Sequence, residues 1–158
     1  MSNTHDGQFP TFAGMTDFIS KKTVGYLLER TTRVVKLRFH RAFKELGVDM
    51  TPEQWVLLES LYERNDQSQK ELADESFKNA PTISRILDVI SKKGWVERRP
   101  TCQDRRMFEI HLTDSGRETV EKLREKVFEI RRQGWKNLDE DDYENFVQIM
   151  NRIFKNYQ

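Results

Sequence analysis

Five residues near the middle of the chain have side chains suited to reading DNA bases. They are Lys78, Asn79, Thr82, Ser84 and Arg85. Short hydroxyl side chains let a backbone come close to base edges, and an arginine can donate paired hydrogen bonds to guanine. If a helix begins here, these residues lie at the end that enters the major groove. An ordinary solvated helix face would look similar, so the interpretation depends on the surrounding elements.

A second group of polar residues, Asp104, Arg105 and Arg106, lies in the segment TCQDRR. An arginine at the tip of a thin loop can enter a narrow minor groove, where the potential is most negative. Asp104 could hold one of these guanidiniums through a fork-like contact. Cys102 lies in the same loop, where basic neighbours would favour its thiolate. Both a redox switch and an incidental thiol remain open for it.

The charge distribution supports a local nucleic-acid surface better than the total charge does. The chain has 158 residues and a net charge of only +1. Residues 78–106 carry eight basic side chains against three acidic ones, a local charge of +5, so the remainder sums to −4. Phosphate recognition requires a basic patch and not a basic protein. The 34% of charged residues and 36% of hydrophobic ones favour helices with solvated outer faces.

Two short helices are predicted to present the first group. The sequence SQKE at residues 68–71 is a capping box that opens a short helix. Ser68 and Gln69 are then placed to bond a phosphate together with free backbone amides. A second helix is predicted over residues 79–93, and Gly94 ends it. The arrangement is that of a helix-turn-helix.

A two-stranded ribbon is predicted to carry the second group. WVERRP and MFEIHL alternate with period two around the polar loop TCQDRR. Phe108, Ile110 and Leu112 are expected on one face, and Met107, Glu109 and His111 on the other. The expected fold is mainly α with a small two- to three-stranded β wing.

A long helix is predicted before this lobe, from Asp17 to about Leu46, with Gly47 as a left-handed stop. A helix of ~30 residues would be ~45 Å long, more than a domain of this size needs, and such a helix usually packs along a partner. Thr51, followed by Pro52 and Gln54, is a strong start for the next helix.

Taken in order, the quoted segments resemble the MarR-type winged helix-turn-helix transcriptional regulators. They are TPEQWVLLESL, SQKELAD, PTISRILDVISKKGWVERRP, the Asp-x-Arg of Asp104 and Arg106, and LTDSGR. The resemblance covers the chain from about Val24 to Phe154. It implies a homodimer whose first and last helices interlock, bound to an imperfect palindromic operator. It places Thr82, Ser84 and Arg85 near bases and Arg106 in the minor groove. The reactive cysteine that the peroxide-sensing branch carries near its N-terminus is absent.

The expected organisation is a single domain of 158 residues in four parts. These are a mobile arm at 1–16, dimerisation helices at 17–47 and 116–158, and a winged-helix DNA-binding lobe at 51–113. The expected function is a DNA-binding regulator, a repressor more readily than an activator, released by a small aromatic or amphipathic ligand. His40 and Trp55 are the candidate ligand contacts, against the alternative that both serve only in packing or solvation. A winged-helix module that docks a protein partner without reading DNA is the competing hypothesis.

Other classes of function find little support in the residues. There is no nucleophile with a base, no carboxylate pair in a cleft and no glycine loop for phosphates, so an enzyme is not expected. The three histidines and single cysteine have no metal-ligand spacing, and neither metal nor cofactor is expected. No run of ~18 apolar residues is present and the opening is polar, so a cytoplasmic location without membrane contact is expected.

Overall fold

The computed structural model describes residues 23–100 and 108–158. Within these ranges the elements are α1 (Val24–Glu45), α2 (Pro52–Glu63), β1 (Gln67–Ser68), α3 (Gln69–Glu75), α4 (Ala80–Lys92), β2 (Val96–Pro100), β3 (Phe108–Leu112), α5 (Asp114–Gly134) and α6 (Glu140–Asn156). The six helices and the small antiparallel sheet of these described ranges confirm the predicted fold class. The expected arm at 1–16 and the loop residues Cys102, Asp104, Arg105 and Arg106 lie outside the described residues.

Helix α1 ends where the sequence predicted. Its last residue is Glu45, and Gly47 follows in the left-handed conformation with φ of 71°. The described helix has 22 residues, which corresponds to a length of ~33 Å. A boundary between two compact units falls inside it, since the first unit ends at Arg38 and the second begins at Phe39. None of the helices in residues 23–100 and 108–158 is both long and apolar enough to cross a membrane.

Capping fixes where the helices of the second unit begin. Thr51 and Gln54 close a capping box at α2, with Pro52 in the first turn, as predicted. The same reciprocal bonds start α3, and a third capping box starts α6. Each box satisfies amide groups that the helix itself leaves without partners. Thr113 caps α5. Gly116 lies in the same LTDSGR motif, and a Cβ at this position would collide with the backbone carbonyl group of Trp95.

One hydrophobic core holds the helix-turn-helix and the sheet together. Its largest fully buried side chains are Phe43, Met50, Leu57, Leu58, Leu61, Leu72, Ile83, Leu87, Ile90, Ile110 and Leu123. They come from every helix between the end of α1 and the first half of α5, and from the sheet. Burial of each aliphatic side chain stabilises the fold by ~1.5–3 kcal/mol. Helix α4 is therefore fixed by the core of its own lobe.

The sheet has the strand order β1-β3-β2, and all neighbours are antiparallel. Residues 67–68 form the third strand, although the sequence indicated only a helix start there. On β3, Ile110 and Leu112 are buried as expected, whereas Phe108 at the outer end is 49% exposed. His111 was expected on the opposite face, yet it is buried. Its Nδ1 lies 2.5 Å from Oδ1 of Asp66, in the turn before β1.

Candidate nucleic-acid interface

The beginning of α4 presents a polar face to solvent while the opposite face is buried. Asn79 caps the helix, because its Oδ1 accepts a hydrogen bond of 2.9 Å from the amide of Thr82. Thr82 and Arg85 are exposed, and Ser84 is half-buried. The apolar stripe on the other side, with Ile83 at its start, packs into the core. The polar face of the first two turns of α4 is therefore exposed, as contact with DNA bases requires.

Ion pairs reduce the charge that the basic segment offers to a phosphate. Arg98 Nη2 lies 2.7 Å from Oδ1 of Asp88, and Lys93 Nζ lies 3.0 Å from Oδ2 of Asp49. The guanidinium of Arg99 is likewise paired, with Glu97. The local charge of +5 inferred from the sequence therefore overstates what the described part of the segment offers. Asp49 lies outside the counted segment, so the count could not include it.

Three basic residues of this segment have no carboxylate partner among residues 23–100 and 108–158. They are Lys78, Arg85 and Lys92. Lys78 lies just before α4, Arg85 lies in its second turn, and Lys92 lies in its last turn. Arg85 and Lys92 are exposed and Lys78 is half-buried, so two of the three uncompensated charges lie at the N-terminal half of α4. Arg85 combines this free charge with the geometry for paired hydrogen bonds.

Ser68 and Gln69 are engaged in contacts within the protein. Ser68 Oγ accepts from the amide of Glu71, and its own amide donates to Glu71 Oε2 at 2.8 Å. Gln69 Nε2 is 3.4 Å from the carbonyl oxygen of Ala80, in the first turn of α4. The free donors expected from the sequence are therefore partly used by the cap, and a phosphate contact from Ser68 or Gln69 stays a prediction.

The capping box also controls the ionisation of its carboxylate. The hydrogen bond from the backbone of Ser68 lowers the pKa of Glu71, and the Ser68 hydroxyl and the nearby Arg64 act in the same direction. Arg64 Nη2 lies 3.3 Å from Glu71 and 2.9 Å from Glu75. The negative charge at the first turn of α3 agrees with the positive end of a helix dipole.

The buried Gln67 is a positioning residue that the sequence did not reveal. It is 1% exposed, and its Nε2 donates to the carbonyl oxygens of Ser60 at 3.0 Å and Arg64 at 2.7 Å. Arg64 Nη2 in turn donates to its Oε1 at 3.2 Å. These bonds tie the end of α2 to the start of α3. A glutamine in a polar turn carries no periodic signal that distinguishes it from a solvated one.

The two candidate ligand contacts do not share a cavity. Trp55 is 2% exposed, and its ring centroid lies 5.7 Å from that of Phe43. Its indole Nε1 donates to Glu59 Oε2 at 3.1 Å. His40 is exposed and borders an open hollow of about 340 Å³ at the end of α1. A ligand role stays a prediction for both, although burial leaves Trp55 the weaker candidate.

The described residues contain no cluster suited to a metal ion, and they do not include the loop expected to enter the minor groove. Within residues 23–100 and 108–158, no group of three or more His, Cys, Asp or Glu side chains could hold a metal ion. The minor-groove residues Asp104, Arg105 and Arg106 lie outside the described ranges, so their placement rests on sequence. The strands that would carry them, β2 and β3, are paired from Val96 with Leu112 to Pro100 with Phe108.

Known proteins resemble this chain both in sequence and in fold. Residues 50–108 match the family model described as the MarR family. The HTH-type transcriptional repressor IacR of Pseudomonas putida is 23% identical over 133 residues, which are 84% of this chain and 78% of that protein.

Solved structures of two regulators share the fold. The MepR–DNA complex of S. aureus superimposes with a TM-score of 0.78 at 24% identity, covering 85% of this chain and 98% of that one. Bordetella bronchiseptica BpsR, solved in a study of how 6-hydroxynicotinic acid regulates its DNA binding, gives a TM-score of 0.75 at 19% identity. That match covers 84% of this chain and 94% of BpsR.

Proposed function

Because the chain belongs to the MarR family of transcriptional regulators, we propose that it binds operator DNA as a homodimer and represses transcription. One observation carries the proposal. The first two turns of α4 carry the exposed Thr82 and the exposed Arg85, which has no carboxylate partner among the described residues, and the half-buried Lys78 lies just before them. The similarity to the repressor IacR and to the fold of a DNA-bound MepR supports it.

In the proposed complex the N-terminal half of α4 lies in the major groove. Arg85 would donate to guanine, while Thr82 and the half-buried Ser84 let the helix approach base edges. Lys78 and the exposed amide group of Asn79 would contact the backbone and fix the register. Ser68 and Gln69 would contribute to the same phosphate, in competition with their intramolecular bonds. From residue types alone, we assign Asp104, Arg105 and Arg106 to the minor groove.

The homodimer is proposed because apolar surface remains uncovered on the first and last helices. Phe146 of α6 is 48% exposed and Ile149 is 55% exposed, and α6 has no buried residue. On α1, Val34 is 62% exposed. An apolar face of this kind marks an interaction surface. A two-fold dimer would present two copies of α4 to the two halves of a pseudo-palindrome.

The first half of α5 belongs with the DNA-binding lobe in this proposal. Val120 and Leu123 are fully buried and Val127 is 2% exposed, all within the core that contains α2 and α4. The dimerisation part of the segment 116–158 would then be the end of α5 together with α6. The dimer would act in the cytoplasm, where its DNA lies.

DNA binding is tested by selecting bound sequences from a genomic pool and measuring affinity by mobility shift. We expect Arg85→Ala to weaken binding by about 1–3 kcal/mol and to relax specificity at one base pair. Arg99→Ala is the matched control, because the guanidinium of Arg99 is paired with Glu97. Affinity should fall steeply with salt. Selection of no sequence by the wild-type chain, or equal binding by both variants, would refute the reading surface.

The wing requires its own variant, because its tip is assigned from residue types. Arg106→Ala should weaken DNA binding strongly and leave the oligomeric mass unchanged. An unchanged affinity would refute the minor-groove assignment, whereas the major-groove assignment would stand on the result for Arg85.

We also propose that a small aromatic or amphipathic anion lowers the affinity for DNA. The compound that regulates DNA binding by BpsR, 6-hydroxynicotinic acid, is of this class, and BpsR shares the fold. The hollow beside His40 is also bordered by Lys44, whose ammonium could pair with a carboxylate. A thermal-shift screen of phenolic and heteroaromatic acids tests the idea, with His40→Ala as the variant. Absence of any stabilisation or DNA release across the set would count against this ligand class.

The competing interaction module without DNA readout receives no specific support. Such a module has no need for an uncompensated Arg85 on the outward face of α4. The family is one of transcriptional regulators, which agrees with the expectation that the chain is not an enzyme.

A further inference from the structure

Phe77 has a backbone conformation that is unusual for its residue type. Among residues 23–100 and 108–158, five have a positive φ, and four of them are Gly47, Gly94, Asp66 and Asn137. Glycine, asparagine and aspartate adopt this left-handed region with little strain. Phe77 has a φ of 51°, and a bulky side chain is disfavoured there. Backbone preference therefore does not explain why a phenylalanine lies at this position.

The backbone of the turn requires the left-handed conformation. After α3 ends at Glu75, the amide of Lys78 donates to the carbonyl oxygen of Ala73 at 3.0 Å, and that of Phe77 donates to Asp74 at 3.3 Å. This is the pattern by which a helix is closed with a left-handed residue, most often glycine. It reverses the chain in time for Asn79 to cap α4. The turn explains the φ angle but not the phenylalanine.

Burial does not explain the phenylalanine either, because its side chain is 81% exposed. Its ring contacts Phe154 of α6, with centroids 5.6 Å apart and planes at 80°. Edge-to-face geometry at this distance is favourable for two aromatic rings. Phe154 is itself 46% exposed. The contact therefore joins the turn of the helix-turn-helix to the last helix at a point outside the hydrophobic core.

We propose that Phe77 is a positioning residue, retained because its ring fixes the turn before α4 against Phe154 of the last helix. The strained backbone and the exposed ring are both accounted for by this contact. A displacement of α6 then reaches the start of α4 without passing through the packed core. The inference rests on the proposed function, because the start of α4 matters as the surface that would bind DNA.

The test uses a substitution that relaxes the backbone while removing the ring. Phe77→Gly suits the left-handed position, so the turn should stay folded. We expect hydrogen exchange at the last two turns of α6 and at the amides of residues 79–82 to become about 3- to 10-fold faster, the range expected for one aromatic pair. Phe154→Ala should give the same change, and the double variant should add little to it. Phe77→Tyr keeps the ring and should restore the wild-type rates.

DNA affinity provides the second readout, with Tyr157→Ala as the control. Tyr157 is 88% exposed at the end of the same helix, and no ring contact joins it to the described residues. We expect Phe77→Gly and Phe154→Ala each to weaken DNA binding about 3- to 10-fold, and the control to leave it unchanged. Unchanged exchange in α6 with Phe77→Gly, or additive effects in the double variant, would overturn the inference. Because exchange is measured without DNA, that result is decisive even if the wild-type chain binds no DNA.

Discussion

Helices α4 and α6 have similar sequence patterns but different surroundings. Both are amphipathic, and each begins at a side chain that caps it, Asn79 in α4 and Asp139 in α6. In α4 the apolar stripe is covered, and Ile83 and Ile90 are 0% exposed. In α6 no residue is buried, and Phe146 is 48% exposed. Periodicity indicates that a helix has an apolar face, but it does not indicate which molecule covers that face.

The difference follows from what each helix contacts in its own chain. Helix α4 packs among α2, α3 and β2, which contribute Leu58, Leu72 and Val96 to one core. Helix α6 contributes no residue to that core. Its aromatic rings contact Trp135, at 4.9 Å for Tyr143, and Phe77. We therefore expect substitutions in α4 to affect folding of the monomer and substitutions in α6 to affect association.

The largest expected effect is that of Leu87→Ala in α4. Leu87 is 1% exposed, so the substitution removes buried methyl groups and leaves a cavity. We expect a loss of ~2–5 kcal/mol in the free energy of unfolding, measured by urea denaturation. Val89→Ala in the same helix is the control, because Val89 is 41% exposed. A similar loss for both variants would contradict the assignment of α4 to the core.

The matching substitution in α6 is Phe146→Glu. It places a charge on the face proposed to meet a second subunit, and an unpaired charge in such an interface costs ~3–5 kcal/mol. The dimer dissociation constant should rise at least ~100-fold, as measured by light scattering over a range of concentrations. Helical content of the monomer should change little. Asn151→Glu, at an exposed polar position of α6, should leave the dimer intact. If the wild-type chain has the mass of a monomer, the proposed dimer is contradicted.

The parts of the fold that sequence predicted are those fixed by local interactions. Thr51, Ser68 and Asn79 cap helices through bonds to residues three positions along the chain, and Gly47 and Gly94 end helices in the left-handed conformation. The caps at Thr51 and Ser68 and the two glycine stops were predicted, because each signal and its partner lie within one helical turn. At Asn79 only the start of a helix was predicted, and its capping bond was not. The exposed face at the start of α4 follows from the same information.

The parts that sequence did not reveal depend on residues distant along the chain. Lys93 is neutralised by Asp49, and His111 is buried against Asp66. Arg98 is ten positions from its partner Asp88. Charge counts treat every basic residue in a segment as free, so they could not single out Arg85. The apolar face of α6 is not buried by the residues that the structure describes, and its periodicity could not indicate this.

The capping residues Asn79 and Asp139 provide a smaller test of the same comparison. Removing a cap costs ~1 kcal/mol in either helix. We expect Asn79→Ala to lower the free energy of unfolding of the whole lobe, because α4 is part of its core. Asp139→Ala should mainly accelerate hydrogen exchange in the first turns of α6, with little change in the unfolding of the lobe. Global destabilisation of the monomer by Asp139→Ala would show that α6 folds together with the lobe.

The smallest expected effect concerns the pH dependence of the lobe that contains α4. The backbone bond from Ser68 lowers the pKa of Glu71 below its ordinary value of 4.5, so the folded state favours the carboxylate. The resulting stabilisation is complete at pH values well above 4.5, and it is lost as the pH falls through the lower pKa of the folded state. It is small, because the Glu71 side chain is 48% exposed and water screens its contacts.

Glu71→Gln isolates this contribution, because glutamine can accept the same bond without titrating, as Gln54 does in the box of α2. The difference in unfolding free energy between wild type and variant should shrink between roughly pH 6 and pH 3. A difference that stays constant over this range would mean that the charge of Glu71 does not stabilise the cap. The start of α3 would then be held by the uncharged bonds of its cap, by Gln67 and by the buried side chains, much as the start of α4 is held by its own cap and core.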